Sequence, residues 1–419
     1  MEHNKVIVLP NDLTSSFFVN ELPYLKSFFD EIIIVNFGRN TKEAQDIIQK
    51  YNLECIFISL HDLRIIHFKE IIKWIFSHSA RQEIKASVSF SKVGLQKLGY
   101  IFLYGLYNIL TISQIKKQID KTTSETRIYI YSYWLSRTAY CAASIKNIYP
   151  HRKIKSISRA HGYDLYEERN KLNYLPFRKN IADGLDAIYF ISENGYKYFQ
   201  QRYSYIGIEN IHLKLYLSYL GTHNDNHWTK KVHTKNQVTI ASCSYMVDVK
   251  RLDLIVEFIC YLQHMDIDVK WIHIGMGPLF EKINFQASQC LAKDSFRFLG
   301  AVDNSLVLKK YIEYDVDFLV NLSDSEGIPV SIMEAMSLGI PVIARNVGGN
   351  SEIVNSNNGY LFESSDLKEN EKEIIKFVSS RINNIEYYAQ ISSSSKKTWE
   401  NKFSAHSNYN NFFESVLHE

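Results

Sequence analysis

Two glutamates, Glu326 and Glu334, stand eight positions apart in the stretch SDSEGIPVSIMEAMSLGIPVIARNVGG. Carboxylates so placed can each accept hydrogen bonds from a pair of sugar hydroxyls; they can equally be solvated acids on a strand–helix turn. Residues 317–322 form a short apolar run, which predicts a buried strand. A polar loop follows over 323–327, Pro329 opens a helix and Gly339 closes it, the usual asymmetry of proline at the first helical position and glycine past the last. Residues 340–344 give the next strand and lead into Gly348-Gly349. Glu326 then lies in a loop at the carboxyl end of a strand, where open α/β sheets bind ligands. Glu334 lies about one turn inside the helix. The amides of Gly327 and Ile328 sit near the helix N-terminus, a place suited to an anion.

Other residues of the right chemistry stand at strand ends. The strand over 153–159 delivers His161 into the loop of SRAHGYDLY, with Arg159 and Asp164 beside it. A histidine there can serve catalysis or simply bond its neighbours. The strand over 238–243 opens a second sheet, and Lys250 falls in the loop after it. A lysine at that point can hold an anionic ligand or stand as an ordinary surface cation. Gly275-Met276-Gly277-Pro278 follows a strand but lacks the third glycine of a dinucleotide fingerprint, which argues against a dehydrogenase. His223, His227 and His233 have no metal-ligand spacing, and Asp315-Val316-Asp317 precedes its strand instead of ending it. Cys55, Cys141, Cys243, Cys260 and Cys290 are scattered and form no CxxC pair, against a disulfide framework or a zinc site.

The elements that position these groups alternate strand and helix, as a parallel sheet requires. Further strands read over 5–9, 31–37, 54–59, 127–132, 186–192, 213–220, 269–274 and 296–299. A helix over 17–29, capped by Ser15 or Ser16, carries Glu21, and another covers 134–147. Residues 61–121 break the rhythm as lysine-rich, aromatic helices that suit either a core or an anionic bilayer surface. At 419 residues the chain suits two domains: 1–220, a polar linker over 221–236, and 237–399, with a helix over about 400–419. Residues 1–221 hold 29 Lys/Arg against 20 Asp/Glu, net +9, and the remainder 19 against 25, net −6. A basic N-terminal half could recruit an anionic acceptor or membrane. A pI near 8.3 gives nucleic-acid binding little support. No secretory signal precedes the first strand. The nearly uncharged run 98–114 is short of the ~20 residues that span a bilayer.

Embedded in EGIPxSxxEAMxxGxPVIAxxxGGxxEIV, the glutamate pair resembles the E-x7-E signature of the retaining nucleotide-sugar glycosyltransferases of family 4. SRAHGYDLY is similar to a block in bacterial polysaccharide members. The resemblance covers most of residues 125–419 and is weakest over 60–122. It implies an α/β chain of the GT-B fold, two Rossmann-like doubly wound domains facing a central cleft, with the terminal helix crossing back to the first. It implies transfer of a hexose from a nucleoside-diphosphate sugar to a glycan or polyprenyl-linked oligosaccharide in surface-polysaccharide biosynthesis, with no metal or other cofactor. Glu326 would hold the donor sugar and Glu334 the ribose. Lys250 and the amides of Gly327 and Ile328 would hold the diphosphate. Gly277 would border the nucleotide, Phe298 and Leu299 the base, and His161 would approach from the opposite wall. Arg159, Asp164 and Glu21 would serve the acceptor. Ser244 falls where many members carry an arginine, and the loop over 10–16 lacks the family's common glycines. Those two departures suit a catalytically silent scaffold of an assembly complex. A GT-B sugar-nucleotide epimerase or hydrolase is the other alternative. The expected place is the cytoplasm or the inner face of its membrane; the oligomeric state is left open.

Overall fold

The computed structural model describes residues 3–59, 68–89, 91–204, 214–225, 227–229, 231–233, 235–363 and 370–418. His61, Phe90 and Leu213, with their expected helical or strand states, lie outside the described residues. The chain divides into two units: Met1–Ser218 with Asn410–Glu419, and Tyr219–Tyr409.

In the first unit the strands are β1 (Asn4–Leu9), β2 (Glu31–Phe37), β3 (Glu54–Ile58), β4 (Arg127–Ser132), β5 (Ile154–Ala160), β6 (Ala187–Phe190) and β7 (Lys214–Leu217). They pair in parallel in the order β3-β2-β1-β4-β5-β6-β7. In the second unit β8 (Val238–Cys243), β9 (Val269–Ile274), β10 (Phe296–Phe298), β11 (Phe318–Asn321), β12 (Val342–Arg345) and β13 (Gly359–Phe362) follow. Their order is β10-β9-β8-β11-β12-β13, again all parallel. Both orders are the doubly wound 3-2-1-4-5-6 arrangement, with direction reversing between the first and fourth strands of each sheet. Helices cover both faces, so the central strands read as continuous apolar runs, such as VIVL in β1 and IIIV in β2.

Several local expectations give way. The helix expected over 17–29 is two, Ser16–Val19 and Leu22–Phe28, because Pro23 lacks the N–H that would continue the ladder. Trp134 stays in a loop, and the helix after β4 is Arg137–Ile148. Pro329 is the residue before helix Val330–Ser337, with ψ 124°. The expected linker is pinned to its own unit. The buried Asn224 donates to Trp228 O and Ser337 O, and Lys235 Nζ reaches Asp317 Oδ2 at 2.6 Å. Asp317 also receives Arg381 Nε at 2.7 Å, both side chains fully enclosed, so the aspartates spelling Asp315-Val316-Asp317 are structural at the strand's amino end. The region after residue 67 forms helices Phe68–Ile75, His78–Ser87 and Lys92–Ile119. Among the described residues Lys92–Ile119 is the one helix long and apolar enough to cross a membrane by length and composition. It packs Ile101, Tyr104, Leu110 and Ile115 into the core, and Gly105 admits the Trp74 indole, 2.3 Å from where a Cβ would stand. The terminal helix Ala405–His418 places Phe412 against Tyr131 and Tyr189 of the first unit, at 5.5 and 4.8 Å between ring centroids.

Candidate active site

In the second unit the reversal point lies between β8 and β11, and the loops leaving their carboxyl ends meet there. Asp324 N–H donates to Val249 O at 2.8 Å, tying the two loops by their backbones. Lys250 Nζ donates to Glu326 Oε1 at 2.8 Å, tying them by charge. Asn321, the last residue of β11, donates from Nδ2 to the same oxygen at 3.0 Å. Glu326 is buried and Lys250 about three-quarters so, which leaves this pair less screened by salt than a surface ion pair. Asp324 is gripped by Arg251 and Arg345, at 3.2 and 2.6 Å, and Arg345 also donates to Leu322 O. These arginines brace the loop that aims Glu326; sequence reasoning missed Arg345, Asn321 and Asp324 in this role. Ser244 donates its N–H to Ile274 O, so its backbone continues the β8–β9 ladder.

Glu334 lies on the helix after that loop, half-buried. Burial pushes its carboxyl up to about 8. Its charge reaches Cys243, the last residue of β8, whose thiol is pushed up to about 12 by burial first and by Glu334 next, with Lys250 acting the other way. Glu334 and Lys250 therefore flank the same strand end. Gly327 has open space where a side chain would stand, while its carbonyl accepts the Gly349 N–H at 2.9 Å. Gly348 has φ +54°, and a Cβ there would lie 1.9 Å from Glu326 O. A glycine pair is thus required for the loop after β12 to lie flush on the Glu326 backbone. Gly277 plays a similar part, with its Cβ position 2.5 Å from Met246 O in the β8 loop. Phe298 stands among Trp271, Phe280 and Phe296, packed against the core, and Leu299 N–H bonds His273 O. Ile328 is buried.

In the first unit His161 follows β5 directly. It is 5% exposed and lies against Trp134, ring centroids 4.2 Å apart. Burial lowers its pKa, Asp164 opposing and Arg159 reinforcing, so the ring is neutral at pH 7. Nδ1 stands 3.7 Å from Asp164 Oδ2, beyond hydrogen-bond range. Among the described residues neither ring nitrogen has a hydrogen-bond partner. A neutral imidazole with two open nitrogens can donate from one and accept at the other.

The three expected acceptor residues sit differently. Asp164 is fully buried and accepts Leu135 N–H at 2.7 Å and His161 N–H at 3.0 Å. It braces the loops after β4 and β5 and does not face outward to orient an acceptor. Glu21 and Arg159 are both fully enclosed, 3.8 Å apart, with Tyr131 OH donating to Glu21 at 2.8 Å and Phe412 stacked 3.9 Å from the Arg159 guanidinium. Burial raises the Glu21 pKa against the pull of Arg159 and Tyr131. These two form an internal pair beneath the terminal helix. What does border the reversal point between β1 and β4 is Arg137, donating to Asn11 Oδ1 at 2.9 Å, with Trp134 and the half-exposed Tyr163, ring centroids 4.8 Å apart. Among the described residues no His, Cys, Asp and Glu group could hold a metal ion.

Known proteins agree with this architecture. The chain superposes along 99% of its length on the apo lipopolysaccharide outer core galactosyltransferase WaaB, covering 99% of it, with TM-score 0.68 and 13% identity. It superposes along its whole length on Anabaena Alr3699/HepE in complex with UDP, covering 99% of that chain, with TM-score 0.67 and 14% identity. The fold is therefore GT-B. By sequence it is 38% identical over 93 residues to the Escherichia coli O-antigen biosynthesis glycosyltransferase WbnH, and 27% identical over 134 residues to the putative colanic acid biosynthesis glycosyltransferase WcaL of Escherichia coli K12. Those alignments take in 22% and 31% of this chain and 25% and 33% of the relatives, so the chain spans a quarter to a third of their length. The family described as "Glycosyl transferases group 1" matches residues 224–398. The matched stretch takes in Lys250, Glu326 and Glu334, on a chain of the GT-B fold.

Proposed function

We propose that the protein is a retaining, metal-independent glycosyltransferase that moves a hexose from a nucleoside-diphosphate sugar to a glycan or lipid-linked saccharide in surface-polysaccharide biosynthesis. The observation that carries the reading is the Lys250–Glu326 bridge at the β8–β11 reversal point, with Glu334 beside the same strand end. The group 1 domain and the relatives' involvement in O-antigen and colanic acid biosynthesis support it. UDP is the first nucleotide to test, because a protein of the same fold is known in complex with UDP and with UDP-glucose.

In this reading the incoming diphosphate replaces part of the Glu326 charge at Lys250. The amides of Gly327 and Ile328 donate to the same phosphates. Released from Lys250, Glu326 accepts from hydroxyls of the donor sugar while Asn321 keeps it aimed. Glu334 gives up its proton to accept from both ribose hydroxyls. The neutral His161 donates to the donor sugar or its phosphate. The leaving phosphate oxygen takes the acceptor's proton, so attack comes on the face the diphosphate leaves. The acceptor lies near Trp134, Arg137 and Tyr163, and the protein works from the cytoplasm, peripheral to the inner membrane face. A thermal-shift panel of sugar nucleotides tests the reading: one donor should raise the melting temperature by mass action. A panel in which no sugar nucleotide stabilises the chain would refute it.

A further inference from the structure

Past the carboxyl ends of β1 and β4, where the first sheet reverses direction, a helix start and a guanidinium stand together with open hydrogen-bonding groups. Helix Arg137–Ile148 begins there, with Ser136 as its N-cap residue at φ −131° and ψ −143° and no side chain capping it. The amides of Arg137, Thr138 and Ala139 lack acceptors within the helix, and the aligned peptide dipoles favour negative charge beside them. Ser136 is 7% exposed, and among the described residues its enclosed Oγ has no hydrogen-bond partner. A buried hydroxyl left in that state is destabilising unless a further group meets it.

Arg137, the first residue of the helix, adds a full charge. Its Nε donates to Asn11 Oδ1 at 2.9 Å, and its guanidinium lies 4.1 Å from the Tyr107 ring centroid and 5.4 Å from that of Phe37. One hydrogen bond and the stacking fix the guanidinium plane. Its two terminal amino groups have no acceptor among the described residues, and paired N–H groups of that kind grip a carboxylate or phosphate. Two carboxylates belong to the same loops, and both are engaged. Asp164 accepts from the Leu135 and His161 amides, and the buried Arg178 donates to Leu135 O and to the Asp164 carbonyl, placing a cation beside it. The exposed Asp12 accepts from Thr14 N–H and Oγ1–H at 3.0 and 2.8 Å. Trp134 and Tyr163 complete the crevice, and the Arg137 charge reaches the Tyr163 phenol. Aromatic faces of this kind suit the C–H face of a sugar ring.

We propose that this crevice is a subsite for an acidic saccharide: Arg137 and the open start of its helix hold a carboxylate or phosphate of the acceptor, while the sugar ring lies on Trp134 and Tyr163. This rests on the acceptor placement proposed above and names the chemical class of the acceptor.

Ligand-observed NMR titration of the full-length protein, without donor, tests it with methyl β-D-glucuronide, methyl β-D-glucoside and glucose 6-phosphate. The first two differ by one carboxylate, and the third substitutes a phosphate. At least one anionic sugar should bind ~10-fold or more tightly than the glucoside, the advantage shrinking as salt rises. The tighter of the two identifies the anion. Arg137→Gln should remove the advantage, and Arg137→Lys, which keeps a cation, should retain part of it. Ser136→Ala should weaken the anionic sugar by about 3-fold or more. Equal binding of all three sugars, no binding of any, or an advantage that survives Arg137→Gln would overturn the proposal. Thermal shift with sugar nucleotides reports separately on the transferase reading. Stabilisation by a sugar nucleotide without the anionic preference would leave that reading and remove the subsite; the preference in a chain that no sugar nucleotide stabilises would do the reverse.

Discussion

Substituting Glu334→Gln should make the protein more stable while weakening its hold on nucleotide. Burial raises the Glu334 pKa from 4.5 to about 8. A carboxyl raised in this way favours the folded state fully only below its unfolded pKa, and the advantage is lost as pH rises to the folded value. At pH 7 the folded chain keeps a proton that the unfolded chain has released, a cost of about 3 kcal/mol at 1.36 kcal/mol per unit. Glu334 is half-buried, so solvent screening brings the expected cost to about 1.5–3 kcal/mol. Glutamine keeps the shape and cannot ionise. Urea unfolding of the two proteins at pH 5, 6, 7 and 8 should show a gap near zero in acid that widens steadily with pH. Nucleotide affinity should behave in the opposite sense. If both ribose hydroxyls need the carboxylate, the parent binds more tightly as pH rises toward 8, by up to ~10-fold per unit, and the variant binds weakly throughout. A variant no more stable at pH 7, or a gap that ignores pH, would refute the reasoning.

Lys250→Ala strips Glu326 of its cationic partner and the diphosphate of its countercharge. Calorimetric titration should show nucleotide affinity weaker by about 2–4 kcal/mol, and unchanged affinity would count against Lys250. Gly348→Ala forces a side chain into a backbone at φ +54°, with its Cβ 1.9 Å from Glu326 O. The left-handed conformation alone costs an alanine about 1–2 kcal/mol, and the clash adds to it, so both melting temperature and donor affinity should fall. Parental values of both would show that the loop after β12 does not hold the Glu326 backbone. Turnover should persist in excess chelator; restoration that strictly needs Mg²⁺ or Mn²⁺ would contradict the metal-independent chemistry.

The architecture was legible because buried parallel strands leave continuous apolar runs. The runs over 31–37, 127–132, 238–243 and 269–274 coincide with the observed strands, and most others agree within a residue or two at each end. The glutamate pair was legible because its loop and helix are contiguous. What stayed hidden depends on partners far apart in sequence. Glu21 and Arg159 read as acceptor residues until Tyr131 and Phe412 enclose them. Asp164 reads as a substrate ligand until Leu135 N–H claims one of its oxygens. The polar stretch after residue 221 lacks apolar periodicity and reads as a free linker, yet Asn224 and Lys235 anchor it through buried polar contacts. Arg137 and Trp134 were passed over inside an expected helix; the observed helix begins at Arg137, which leaves Trp134 in the loop after β4.

The central claim is that the acid at the β11 loop handles the donor sugar and not the fold. Initial rates with the stabilising sugar nucleotide and its acceptor, compared for the parent and Glu326→Ala, test it most directly, with urea unfolding run alongside. The account predicts a loss of turnover of at least ~100-fold, while the protein remains folded and still binds nucleoside diphosphate through Lys250. Turnover within a few-fold of the parent would contradict it.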